Sequence, residues 1–445
     1  MSYTMNCLKN LDLERLGLSG IISQNIKRNR MSSVQIKVTD KDGEPIKGAK
    51  ISVNQTDSEF KFGCNAFMVN QFDNEKANDA YTEKFKKVFN QAVVPFFWTD
   101  DEPEKGKYRF EKGSAPIYRR PPADEVLEWC AKLNIQPKGH NMVWSAGVIG
   151  MPKWMPKDKT EMQKAIDDRI RILADRYADK IPVWDVCNEI AGAGGYDELP
   201  EEYEVRAHKL AGELFPDCHL ILNDCRGFYG RTYRQRRSIT YQMAKKIMYA
   251  GGRIDGLGIQ NHFFFKEEDV LNDDRKMFKP THIDDKEMLQ AEHIMNMLNT
   301  YSGLCGSLHI SEITIPSYDK TPEKLDVQAK IVENLYRIWF STESVKSAVW
   351  WNLVDGYAFI NPANPDWDED YYGGGLLNRD FSEKPAYKVI DHLVNKEWHT
   401  QFDTVSDNAG QTSAEMFHGT YDIMVNGEKF TEQVNKNTSI IKIVL

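Results

Sequence analysis

The chain has 445 residues, 41% hydrophobic and 28% charged, which provides for a large apolar core. Its formal net charge of −9 and its lack of a basic run argue against a polyanion-binding protein. Seven cysteines, an odd number without paired metal-ligand spacing, argue against a disulfide scaffold or a zinc module and fit a reducing compartment.

Residues 1–31 read as an N-terminal extension. It has no basic start, and Glu14 and Arg15 break its apolar stretch, so it does not read as a signal peptide. No later run approaches the roughly 18 apolar residues of a membrane span. The expected location is cytoplasmic, with a secreted protein that has lost its leader as the alternative.

Residues 32–59 read as a hairpin, because VQIKV and AKISV alternate on either side of the turn signal DKDGEP. Residues 397–445 carry similar short runs, TYDIMV and SIIKIVL, between the turn signals DNAG, NGEK and NKN. Neither piece is long enough to bury both faces of its own sheet. Pairing of the two into one accessory β-sandwich is expected, apart from the main pattern. Two separate surface hairpins are the alternative.

Residues 60–396 alternate strand and helix patterns. FKFGCNAF, AVVPFFW, QPKGHNMVW, VWDVCNE, HLILND, DGLGIQNHF, SLHISEIT and SAVWWNLVD give eight strand candidates. Between them apolar residues recur at helical spacing, as in Met162, Ile166, Ile170, Leu173 and Tyr177. Eight such units, with no Gly-rich phosphate fingerprint after the first strand, predict an α/β fold of the closed (β/α)8 TIM-barrel type. Gly373 to Gly375 follow an acidic loop and read as a turn.

In a parallel barrel, function sits at the carboxyl-terminal strand ends. The fourth strand ends on Asn188 and Glu189, and the seventh delivers Glu312. Other strand ends supply His140 and Trp144, Asn223 and Asp224, Gln260 and His262, and Trp350 and Trp351. Amides, imidazoles and carboxylates match the hydroxyls of a pyranose, and indole faces match its C–H faces. A lone His or Trp at a strand end is more often packing, and a lone Glu an ordinary solvated end. It is their coincidence on one rim that points to a sugar site.

The combination GHNMVW, WDVCNE, GLGIQNH, HISE, VWWNLVDGYAF and GLLNRDFSEKPAY resembles glycoside hydrolase family 10, the retaining β-1,4-xylanases, over roughly residues 60–393. The resemblance implies that Glu189 is the acid/base and Glu312 the nucleophile of a retaining mechanism. It implies that Asn188 meets the sugar 2-hydroxyl and that His262 stands beside the nucleophile. It places His140, Trp144, Gln260 and Trp351 around the cleaved sugar, with Asn223, Trp98 and Phe359 as further substrate contacts. No cofactor or metal is implied. The implied partner is a carbohydrate or small-molecule glycoside, with neither nucleic acid nor membrane; oligomeric state is left open.

The chain departs from the family pattern on the glycone side. PFFWTDDEP replaces a longer acid- and lysine-bearing run, with Phe97 at the lysine and no equivalent of the asparagine. Ser145, Gly147, Cys225 and Phe359 replace a histidine, a glutamine, a tyrosine and a tryptophan, and Thr314 replaces an acid that supports the histidine. An additional stretch, SAPIYRRPPAD, follows. Tyr118, Arg119 and Arg120 fold over the cleft in one reading and form an outward basic loop in the other. Arginine there suits an acidic sugar or a stacked ring. The leading expectation is a retaining β-glycosidase acting on a short oligosaccharide or a small β-glycoside. The alternatives are an endo-β-1,4-xylanase on soluble xylo-oligosaccharides and a catalytically retired carbohydrate-binding barrel.

Overall fold

The computed structural model describes residues 3–191, 199–225, 227–229, 233–264, 266–267, 288–360 and 368–445. Before the barrel come β1 (Met31–Thr39) and β2 (Lys50–Ser58). All eight expected barrel strands form: β3 (Lys61–Asn65), β4 (Gln91–Pro95), β5 (Gln136–Trp144), β6 (Val183–Asn188), β7 (His219–Asp224), β8 (Gly256–His262), β9 (Leu308–Thr314) and β10 (Val345–Trp350). They pair in parallel in chain order, and β10 closes onto β3 with Ser347 beside Lys61. Every residue of β4, β6 and β9 is buried, as expected of strands covered on both faces.

The surrounding helices have legible starts. Asp158 caps Lys159–Tyr177 by accepting from the Thr160 and Glu161 amides. Thr321 caps Pro322–Ser341, which has proline at its first turn. Met162, Ile166, Ile170, Leu173 and Tyr177 all face the core. Each such burial contributes roughly 1.5–3 kcal/mol over leaving the side chain in water.

The hairpin expected over residues 32–59 does not form. β1 and β2 lie in different sheets, and each is paired by the C-terminal strands β11 (Gln401–Val405), β12 (Gln411–Phe417), β13 (Gly419–Val425), β14 (Glu428–Val434) and β15 (Ile440–Val444). One sheet runs β12-β1-β15 and the other β11-β2-β13-β14. Val34, Ile36 and Ile441 from the first sheet and Val53, Tyr421 and Ile423 from the second share one core. The alternation of β1 and β2 therefore marks strands with one buried face each, facing one another across a sandwich rather than along a hairpin. The NGEK signal does make a hairpin, between β13 and β14, where Asn426 and Gly427 take the positive φ that a tight two-residue turn needs.

Neither end of the chain stands apart from the barrel. Trp398 stacks on Phe340 at 4.1 Å and on Phe62 at 6.0 Å, near the start of β3. The helix Ser19–Arg30 ends on Arg30, only 6% exposed, whose guanidinium donates to the carbonyls of Phe340, Thr342 and Val345. The accessory sandwich thus attaches toward the amino ends of the strands and leaves the carboxyl-terminal rim free.

Candidate active site

At the rim, β6 ends on Asn188 and the chain turns at once. Glu189 adopts a left-handed φ of +53°, a conformation that costs a non-glycine residue of order 1–3 kcal/mol. Its amide donates to the Asn223 carbonyl on β7 at 2.8 Å, which holds the turn. The Glu189 carboxyl accepts from Gln260 Nε2 at 3.0 Å and from Trp144 Nε1 at 3.2 Å. Glu312, 4% exposed on the fully buried β9, accepts from Asn223 Nδ2 at 2.8 Å and pairs with His262 Nε2 at 2.9 Å.

Asn223 lies behind the two acids, not in front of them. Its amide nitrogen donates to both Glu312 and Asn188 Oδ1 (2.8 Å), and its oxygen accepts from Ser311 Oγ at 2.5 Å. Fully used in this way, Asn223 orients its neighbours and does not line the cavity. Gly258 makes room for it, since a Cβ there would lie 2.2 Å from Asn223 Oδ1. With Oδ1 of Asn188 occupied by Asn223, the Asn188 amide nitrogen is the end left to donate into the cavity.

The environment drives the two carboxyls apart. Burial raises the pKa of Glu189, and the charge of Glu312 raises it further against the Gln260 hydrogen bond. Burial pushes Glu312 upward as well. The His262 hydrogen bond, the fields of His140 and His262 and the Asn223 hydrogen bond outweigh it and hold Glu312 below its ordinary value. One carboxyl is thus poised to carry a proton and the other to be ionised, as an acid and nucleophile pair requires.

Both acids open onto one cavity of about 450 Å³, a size suited to a small ligand. Among the described residues no cluster of three or more His, Cys, Asp or Glu is disposed to hold a metal ion.

Comparison with known proteins matches residues 53–393 to the model of glycosyl hydrolase family 10. The chain belongs to this family. It is 23% identical over 331 residues to endo-1,4-beta-xylanase B of Thermotoga neapolitana, covering 72% of this chain and 84% of that enzyme. It is 26% identical over 411 residues to anti-sigma-I factor RsgI6 of Acetivibrio thermocellus, covering 91% of this chain but only 46% of that protein. Xylanase 10B from Thermotoga petrophila RKU-1, solved in complex with xylobiose, shares the fold with a TM-score of 0.59 at 21% identity, over 76% of this chain and 95% of that one.

As a family 10 member the protein is a glycoside hydrolase, and the cavity holds most of the expected site residues. His140, Trp144, Asn188, Glu189, Gln260, His262, Glu312, Trp351 and Phe359 all line it, as do Arg119 and Arg120. Trp98 does not. The short helix Trp98–Asp101 turns its indole away from the mouth, where Nε1 donates to Glu102 at 2.8 Å and the ring packs on Trp154.

Asp185 and Lys138, which support His140, were not singled out from sequence. Asp185, fully buried, pairs with His140 Nδ1 at 2.8 Å and with Lys138 Nζ at 2.9 Å. Burial pushes the Asp185 carboxyl up, but Lys138 and His140 outweigh it and hold the pKa below its ordinary value. A charge in the middle of the apolar run VWDV was the signal that could have found it. Thr314 stands where the family pattern has an acid, and its Oγ1 meets His262 Nδ1 at 2.8 Å. A hydroxyl therefore orients the histidine without adding a charge.

The stretch around Arg119 folds inward. Tyr118 OH donates to the Ala358 carbonyl at 3.2 Å, and Arg119 donates to the Tyr357 carbonyl. Arg119 and Arg120 are 2% and 8% exposed. The Arg120 guanidinium lies 3.6 Å over the Phe97 ring and donates to Asp100 Oδ2 at 3.0 Å. A third carboxyl, Glu369, also reaches the cavity wall, with one oxygen accepting from Asn352 Nδ2 at 3.0 Å. Burial raises its pKa, opposed chiefly by the field of Arg119.

Proposed function

We propose that the protein hydrolyses β-glycosides with retention, through a glycosyl-enzyme, on short oligosaccharides or a small-molecule β-glycoside. In the first step a Glu312 oxygen attacks the anomeric carbon while the glycosidic C–O bond breaks, and Glu189 gives its proton to the departing oxygen. In the second step Glu189 takes a proton from water as that water attacks the same carbon and releases Glu312. The observation that carries this reading is the opposed setting of the two carboxyls, one raised by burial and its neighbour's charge, the other held ionised by His262 and Asn223. His140 and Asn188 present donors to the sugar, and Trp351 offers a ring face in the same cavity.

The test is a panel of aryl β-glycosides followed by NMR of the newly released sugar. The β-anomer appearing first supports the double displacement, and the α-anomer appearing first overturns it. A second reading, endo-β-1,4-xylanase action, is favoured by the likeness to the Thermotoga xylanases. Release of xylobiose units from xylo-oligosaccharides would support that reading.

A further inference from the structure

Resting on the hydrolase reading, the position of the acid fixes which end of the cavity takes which half of the substrate. Glu189 protonates the departing group, so that group lies toward β6. In the closed order of eight strands, β10 stands diametrically opposite β6, flanked by β9 and β3. The retained sugar therefore lies toward β10, β3 and β4. That wall carries Trp351 and Phe67, and the Tyr118–Arg120 stretch is tied across it to the segment after β10 through Ala358 and Tyr357. A second sugar beyond the cleaved one would have to continue past this tie.

Two charged groups on this wall are buried with hydrogen-bonding capacity unused. Arg119 lines the cavity and donates through Nη1 to the neutral Tyr357 carbonyl, with no other hydrogen-bond partner for its guanidinium among the described residues. Glu369 is 7% exposed, and Asn352 occupies only one of its oxygens. Buried polar groups left unpaired are costly, and a ligand that pairs them recovers that cost. A donor and an acceptor on one cavity wall suit a sugar's hydroxyls, which can accept from the guanidinium and donate to the carboxylate. They do not suit a uronate. Arg120 is already engaged by Asp100, and a carboxylate brought up to Arg119 would also meet the carboxyl of Glu369 on the same wall.

We propose that Arg119 and Glu369 form the blind end of the glycone subsite, so that the enzyme removes one neutral, hydroxyl-bearing sugar at a time from the non-reducing end. The experiment follows the first products of an aryl β-xylobioside and compares aryl xyloside, glucoside, galactoside and glucuronide. Xylose plus aryl xyloside as the first products, with neutral monoglycosides cleaved at least tenfold faster than the glucuronide, is the expected result. Xylobiose plus free phenol, or a preference for the glucuronide, overturns it. Glu369→Gln and Arg119→Ala, each checked for an unchanged melting temperature, should lower kcat/KM on the preferred monoglycoside by about tenfold or more. Values within twofold of wild type for both also overturn it. If the wild type cleaves no glycoside at all, the hydrolase reading fails on its own. Calorimetry with methyl β-xyloside and methyl β-glucoside then judges the subsite: binding weakened tenfold by Glu369→Gln supports it, and binding unchanged by either substitution overturns it.

Discussion

Glu189, Glu312 and the residues that hold them stand on the ends of β5 through β9, whereas Arg119, Arg120 and Glu369 stand on the segments after β4 and β10. On the first side each acid is fixed by two hydrogen bonds from neighbouring strands, so its geometry is that of the barrel itself. On the second side position depends on tethers between one segment and another, such as Tyr118 to Ala358. Strand ends thus set which reaction is possible, and the connecting segments set which sugar is admitted.

The sharpest way to break this division is to remove an acid. Glu312→Gln and Glu189→Gln should each lower kcat on aryl glycosides by about 10²- to 10⁴-fold. With a good leaving group, Glu189→Gln should spare the first step and accumulate glycosyl-enzyme, visible by mass spectrometry of the intact protein. Retained turnover in either variant would remove the strand-end side of the comparison.

The pH profile offers the next contrast. With Glu312 lowered and Glu189 raised, kcat/KM should fall as pH drops through the Glu312 value and again as it rises through the Glu189 value. Thr314→Ala frees the far side of His262 and weakens its bond to Glu312, so the acidic limb should move to higher pH, with kcat down by about tenfold. Thr314→Asp favours the charged histidine and should move the same limb to lower pH.

Asn223→Ala should cost about 1–3 kcal/mol of stability, read by urea denaturation, by taking one buried hydrogen bond from each of Asn188 and Glu312. It should also lower activity equally across all sugars, because it acts on the strand-end side alone. Arg30→Met gives the smallest effect on function. Losing donors to three buried carbonyls should lower the melting temperature while leaving the ratio of kcat/KM between sugars unchanged.

The barrel and the strand-end site were readable because each piece is local. An apolar run followed at once by an amide or acid, repeated at the right spacing, fixes both strand and rim. The opposite wall was less so. Glu369 comes from WDEDYYGGG, a run with the composition of a solvated turn, and nothing within it shows that the chain folds back against Asn352. Trp98 misled because a tryptophan just past a strand end looks like a sugar platform, and only the direction of a four-residue helix turns it elsewhere. β1 and β2 misled for another reason. Two-residue alternation shows that one face is buried, but it does not say whether the partner is the next strand or one near the opposite terminus.

That last arrangement bears on how the molecule is made. β1 is the middle strand of its sheet, yet both neighbours, β12 and β15, come far later in the chain, with Gln35 ending up beside Ser413 and Ile440. While the ribosome is at work, β1 offers two bare edges and no mate, and such long-separated pairings form slowly. Docking of these later strands is therefore the clasp that closes the sandwich, and a ribosome that stalls before residue 411 releases a barrel with a sticky, half-built appendage.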